Sequence, residues 1–176
     1  MNGFLLLIQF MTRLPVPANT VYKPVEIGRA IKYFPFVGVI LGIILVGIFF
    51  ALEPFIENKL IIAMVIVIVE ILLTGGLHLD GLSDTFDGLF SYRDKERMLE
   101  IMKDSCIGAN GGLALIVYVV AKVLLLSELG WEFLLVMPVI SRLNTVVHAG
   151  FGRYARKSGM GESIVNETTF KGVLFA

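Results

Sequence analysis

The sequence predicts an all-α fold: a polytopic integral membrane helical bundle of about four transmembrane helices, with an N-terminal interfacial helix and a cytosolic amphipathic helix. Three observations carry this. Apolar residues make up 56% of the 176 and charged residues only 17%, where a soluble domain has about a quarter charged. Mean hydropathy is +0.82, and apolar runs near the length that a bilayer requires recur along the chain. Between them lie short segments with proline, glycine and charge, which stop helices. The formal net charge of zero argues for no nucleic acid partner. The single Cys106 cannot form an internal disulfide and has no ligand cluster around it. Met1 to Phe10 lacks a basic n-region and an evident cleavage site, so it is not a typical signal peptide.

The elements follow in order, as one membrane domain over residues 1–176. Residues 1–35 read as an interfacial helix and a polar linker. Phe4 to Phe10 is too short to span, and Pro15 and Pro17 end it. Arg13 beside it either contacts a phosphate or snorkels to lipid headgroups. Residues 36–79 hold two spans. The first, about Phe36 to Leu52, carries Gly38 and Gly42 as a small-xxx-small pair, with Gly47 further on; such a stripe lets another helix approach closely. The second runs from about Leu60 to Leu73 or beyond and contains Glu70. An intramembrane carboxylate is costly and faces protein or water. Lys122, inside the third span, either pairs with it or snorkels to another boundary.

Residues 80–110 hold an acidic motif and an amphipathic helix, Ser91 to Ser105. Residues 111–150 hold span three, about Gly111 to Leu129, and span four, about Trp131 to Gly150. Residues 151–176 read as a cytosolic tail or the start of a truncated span. Basic residues cluster in alternate segments: Arg13, Lys23, Arg29 and Lys32; then Arg93, Lys95, Arg97 and Lys103; then Arg153, Arg156, Lys157 and Lys171. The loops after spans one and three hold only Lys59. The asymmetry puts the acidic motif on the cytoplasmic face of the plasma (inner) membrane.

The stretch Gly75 to Gly88 is the chemical centre of the sequence. Asp80, Asp84 and Asp87 stand at i, i+4 and i+7, one face of a helix. Like charges so placed repel unless a cation sits among them. Carboxylates suit Mg²⁺, Mn²⁺ or Ca²⁺. The plainer alternative is a solvated helix start, where Asp caps and favours the dipole; it leaves unexplained why Leu77, Leu79, Leu82 and Phe86 surround three of them. The turn Gly108 to Gly112 opens span three and either holds a phosphate or is plain turn chemistry. Arg142 lies inside span four, where a guanidinium either grips phosphate or neutralises a buried carboxylate. His148 reads as interfacial. Such equipment points to phosphoryl or diphosphate chemistry at a membrane, a phosphotransferase or a prenyltransferase.

The run GGLHLDGLSDTFDGLFSYRDKERMLEIMKDSCIGANGGLALIVYVVAKVLLLSEL resembles the cobalamin synthase family of adenosylcobinamide-GDP ribazoletransferases. So do FMTRLPVP, FPFVGVILG, the pair Ser141–Arg142 and RYARKSGMG, in the right order. The resemblance implies a Mg²⁺-dependent membrane enzyme late in vitamin B12 assembly, joining adenosylcobinamide-GDP to α-ribazole or its 5′-phosphate and releasing GMP. It implies Asp80, Asp84 and Asp87 as metal ligands, with Asp84 or Asp87 accepting the hydroxyl proton. Arg142, Gly108, Asn110, Gly111, His78 and Arg13 would contact substrate. Family members are longer and carry a second glycine-rich segment near the carboxyl end, which is not in this sequence. The family is also loosely similar to the CDP-alcohol phosphotransferases. Rival readings are a prenyl- or CDP-alcohol-type transferase and a divalent-cation transporter; only Glu70 lies deep, which argues against the transporter. A homo-oligomer stays open.

The charge asymmetry predicts that, with Cys106 changed to serine, cysteines at Glu57 and Lys95 label from opposite sides of the membrane, Lys95 from the cytosol. Labelling of both from one side would overturn the four-span reading.

Overall fold

A computed structural model describes residues 3–16, 23–156 and 158–176. Pro17 and Lys157, used above as a helix stop and a flanking charge, lie outside them. Among the described residues all regular structure is helical: α1 (Gly3–Met11), α2 (Pro24–Ala30), a 3-10 turn (Ile31–Tyr33), α3 (Phe34–Leu52), α4 (Lys59–Thr74), α5 (Leu77–Leu89), α6 (Lys95–Ile101), α7 (Ala109–Glu128), α8 (Glu132–Phe151), α9 (Met160–Glu167) and α10 (Phe170–Phe175). The packing groups them into two units, Met1–Phe55 with Gly130–Ala176, and Ile56–Leu129. Three helical stretches, Pro24–Leu52, Ala109–Glu128 and Glu132–Phe151, are long and apolar enough to cross a membrane. The bent pair α4 and α5 makes a fourth if counted as one span.

In the first unit, α3 and α8 pack along each other. The glycine stripe explains why. A Cβ on Gly38 would sit 2.6 Å from the carbonyl oxygen of Pro138, and one on Gly42 would sit 2.8 Å from the Cα of Leu135. Gly47 faces open space, so the stripe acts through its first two members. Val37, Leu41 and Leu45 on α3 are buried, as are Leu134, Val146 and Ala149 on α8.

The expected polar linker before Lys32 is instead α2 and the 3-10 turn, which join α3 into one helical run of 29 residues. The reason is an apolar face hidden among charges: Ile27, Ala30 and Ile31 are buried, and Pro24 suits the first helical turn. α2 packs on α9, an element the sequence reading did not identify. Gly28 approaches the backbone of Ser163, and Arg29 Nε donates to Glu167 Oε2 at 2.9 Å.

In the second unit, α4 has 16 residues, so it is about 24 Å long, short of the roughly 30 Å hydrocarbon core. It does not continue straight into the acidic motif. The chain bends 90° into α5 at Gly75 and Gly76, with φ of 64° and 73°. Two successive left-handed residues are cheap only for glycine. The amphipathic helix is also shorter than expected, Lys95–Ile101. Tyr92 at φ 54° breaks the run, and Asp94 caps α6 by accepting the Arg97 N–H at 2.9 Å. Of the two readings of Glu70 and Lys122, the structure shows the pair: Lys122 Nζ lies 2.6 Å from Glu70 Oε2, with their side chains only 12% and 17% exposed. Lys122 also donates to the Tyr118 hydroxyl at 3.2 Å.

Two predictions follow from this packing. Gly38→Val and Gly42→Val should each lower the unfolding midpoint in detergent, at a cost of about 1–3 kcal/mol for overpacking, whereas Gly47→Ala should be neutral or raise it. Glu70→Gln alone should destabilise more than Glu70→Gln with Lys122→Met, because it strands a buried ammonium. A double-mutant cycle should give a coupling of about 1–3 kcal/mol.

Candidate active site

α5 carries the acidic face. It stays helical from Leu77 to Leu89 although Gly81 and Gly88 each weaken a helix by about 1 kcal/mol relative to Ala. Gly88 is closely packed: a Cβ there would meet Cγ and Cε of Met102 at 2.6 Å and displace that side chain. Asp80 is exposed, while Asp84 and Asp87 are half-buried.

Asp87 has a defined role. Its Oδ2 accepts the Gly108 N–H at 2.8 Å, and its Oδ1 accepts the Gly111 N–H at 2.8 Å. These amides belong to the N-cap and the third residue of α7, two of the donors that a helix cannot satisfy internally. The carboxylate therefore caps α7 from a different helix and sets its negative charge at the positive helix end. Glycine is needed at both positions. A Cβ on Gly108 would lie 2.8 Å from the Asp87 Cγ, and one on Gly111 2.9 Å from it. The Gly111 Cβ would also strike the Ser83 hydroxyl.

The glycine-rich turn, read as a phosphate holder or as plain turn chemistry, is engaged from α5. Two of its amides hold an anion, but the anion is the chain's own Asp87. The Ala109 and Asn110 amides, also in the first turn of α7, have no helical acceptor. Asn110 Nδ2 reaches the Phe90 carbonyl only at 3.4 Å. Among the described residues no group of three His, Cys, Asp or Glu side chains is gathered to hold one ion, and Asp87 is turned onto α7. What α5 offers is a pair, Asp80 and Asp84, one turn apart. Mg²⁺ fits such a pair: it keeps several waters and takes one or two carboxylates plus substrate phosphates rather than a protein cage.

Ser83 was missed by the sequence reading. It is 2% exposed, and its Oγ has no hydrogen-bond partner among the described residues. Its signal was positional: Ser83 stands four residues before Asp87, on the same helical face. Beside it, α5 and α7 frame a groove of about 470 Å³ lined by Leu82, Phe86, Phe90, Leu113, Val117 and Tyr118, among others. His78 is exposed on α5. Arg13 and Arg142 belong to the other unit. Arg13 is exposed. Arg142 is 3% exposed, its Nη1 donates to the Pro138 carbonyl at 3.3 Å, and its guanidinium lies 6.0 Å from the Phe34 ring centroid.

Comparison with known proteins decides the family, since the cobalamin-5-phosphate synthase family matches residues 3–176. The chain belongs to the cobalamin-5-phosphate synthase family. An adenosylcobinamide-GDP ribazoletransferase of Fusobacterium nucleatum is 46% identical over 189 residues, covering 100% of this chain and 68% of that protein. The enzyme of the same name from Acetivibrio thermocellus is 41% identical over 179 residues, covering 99% and 72%. That of Thermoanaerobacter pseudethanolicus is 43% identical over 155 residues, covering 86% and 62%. The chain thus spans 62–72% of the length of these curated cobalamin-5-phosphate synthase relatives. No solved structure matches it. The family read from the motifs is borne out.

The cap predicts a graded response. Asp87→Ala should lower the unfolding midpoint by a cap's worth, about 0.5–2 kcal/mol, and Asp87→Asn, which keeps one acceptor oxygen, should lose less. Gly111→Ala should be at least as damaging as Asp87→Ala, because it drives a methyl group into both Asp87 and Ser83.

Proposed function

We propose that this chain acts as a Mg²⁺-dependent membrane transferase that joins adenosylcobinamide-GDP to α-ribazole or its 5′-phosphate, releasing GMP. The family match over residues 3–176 supports the reaction. The observation that carries the site is the acidic face of α5, where Asp80 is exposed, Asp84 is half-buried and Asp87 is engaged with α7.

In this reading Asp80 and Asp84 would hold Mg²⁺, which would supply charge neutralisation for the diphosphate of the activated corrinoid. The chain's own groups do the rest. The amides of Ala109 and Asn110 at the start of α7 receive phosphate oxygens, with the helix dipole favouring the anion. A ribazole hydroxyl attacks the phosphorus attached to cobinamide. The new oxygen–phosphorus bond forms as the bond to GMP breaks, and Asp84 takes the hydroxyl proton. Asp87 acts one step back, as a positioning residue: by gripping Gly108 and Gly111 it fixes where the remaining amides point. The basic segments support a cytoplasm-facing site, where soluble nucleotide substrates reach it.

The apolar groove between α5 and α7 favours a second reading, a prenyl-type diphosphate substrate whose chain lies over Phe86 and Phe90. Release of diphosphate from a prenyl diphosphate, without GMP release from adenosylcobinamide-GDP, would establish it instead.

The test is GMP release from adenosylcobinamide-GDP with α-ribazole and Mg²⁺. Asp80→Asn and Asp84→Asn should fold, stay membrane-inserted and lose at least roughly 10²-fold in turnover. Raised Mg²⁺ should recover part of the loss at Asp80 and less at Asp84. Near-normal GMP release by both variants at low Mg²⁺ would make the acidic face structural.

A further inference from the structure

We propose that a polar cavity at the amino-terminal end of the α2–α3 run, in the first unit, binds the headgroup of an anionic phospholipid. The cavity holds about 390 Å³, and its lining includes Arg29, Lys32, Glu167, Thr168, Thr169 and Lys171. Three cations there face one carboxylate, and that carboxylate is already engaged by Arg29 at 2.9 Å. Among the described residues neither Lys32 nor Lys171 has an ion-pair partner. Lys32 is held by rings instead, with its Nζ 5.1 Å from the Tyr33 centroid and 5.7 Å from that of Phe175. A cation–π contact orients an ammonium without neutralising it. Thr169 adds a hydroxyl donor at the same wall, since its Oγ1 accepts the Gly172 N–H at 3.1 Å and keeps its own proton, whereas the Thr168 hydroxyl donates to the Ile164 carbonyl at 2.6 Å.

The second observation points to a lipid. Tyr33 also lines an apolar groove of about 430 Å³, together with Gly3, Phe4 and Phe36. Tyr33 and Phe36 both contact the Phe175 ring, at 5.6 Å and 6.5 Å, and Phe175 lines the polar cavity. A basic polar cavity and an apolar groove therefore share one aromatic wall. They sit where the polar residues of Pro24–Tyr33 give way to the apolar run that begins at Phe34, the depth at which headgroups meet acyl chains. A free phosphate would use only the first cavity; a phospholipid uses both.

The test is the unfolding midpoint of the protein in neutral detergent, titrated with short-chain phosphatidylglycerol, phosphatidylcholine or inorganic phosphate. Phosphatidylglycerol should raise the midpoint saturably. Its apparent affinity should fall about fivefold for each lysine removed in Lys32→Gln and Lys171→Gln, the weight of one basic residue near an anionic headgroup. Lys95→Gln with Lys103→Gln should leave the response intact. Phe36→Gln, a change at an exposed position, should weaken the phosphatidylglycerol response even if the lysine variants do not fold. An equal response to phosphatidylcholine would overturn the proposal. So would an equal response to inorganic phosphate, which would leave a simple anion site, or wild-type affinity in the folded lysine variants or in Phe36→Gln.

Discussion

The second unit depends on one carboxylate. Asp87 reaches from α5 to the start of α7 and accepts two amides that α7 cannot satisfy itself. Together those hydrogen bonds make a cap worth about 0.5–2 kcal/mol. The repulsion among aspartates one turn apart on a helix surface is a few tenths of a kcal/mol per pair. The cap therefore outweighs the crowding, and α5 holds three aspartates without a metal being needed to fold it. Asp80 helps in the same way, since it lies in the first turn of α5, where negative charge suits the dipole.

α7 is tied twice. Its start is held by Asp87 and its middle by the Glu70–Lys122 pair from α4. Lys122 is 13 residues beyond Ala109, about 20 Å along the helix axis. Two anchors that far apart set both the position and the tilt of α7 against the bent α4–α5 element. The bend needs Gly75 and Gly76, and the close contact between α5 and α7 needs Gly108 and Gly111. Stiffness here comes from charge placed against backbone, with glycine giving the clearance. The consequence for chemistry is that the first-turn amides of α7 are held still beside the acidic helix, which is the preorganisation that a phosphate site needs.

Much of this was legible in the sequence. The helical membrane class followed from composition. The glycine stripe on α3, the helical spacing of the aspartates and the stop signals around each apolar run were local patterns. The long acidic motif was specific enough to identify the family. Other features were hidden because their cause lies in a distant segment. α2 looks like a polar linker until α1 and α9 pack on it and Ile27 is buried. Ser83 looks like a helix-surface serine until Gly111 approaches. Glu70 and Lys122 are separated by 52 positions, and no periodicity states that they meet.

The sequence by itself determined which residues face one another along a helix, because 3.6 residues per turn is a property of the backbone. It also determined where helices had to break, because proline and glycine act locally. Only the tertiary structure decided how the charges were shared out. Asp80, Asp84 and Asp87 are chemically identical and stand on one face, yet Asp87 is the one whose two oxygens cap the start of α7. The difference is distance to unsatisfied N–H groups contributed by residues more than twenty positions away, and hydrogen bonding is too short-ranged for any local pattern to reveal it.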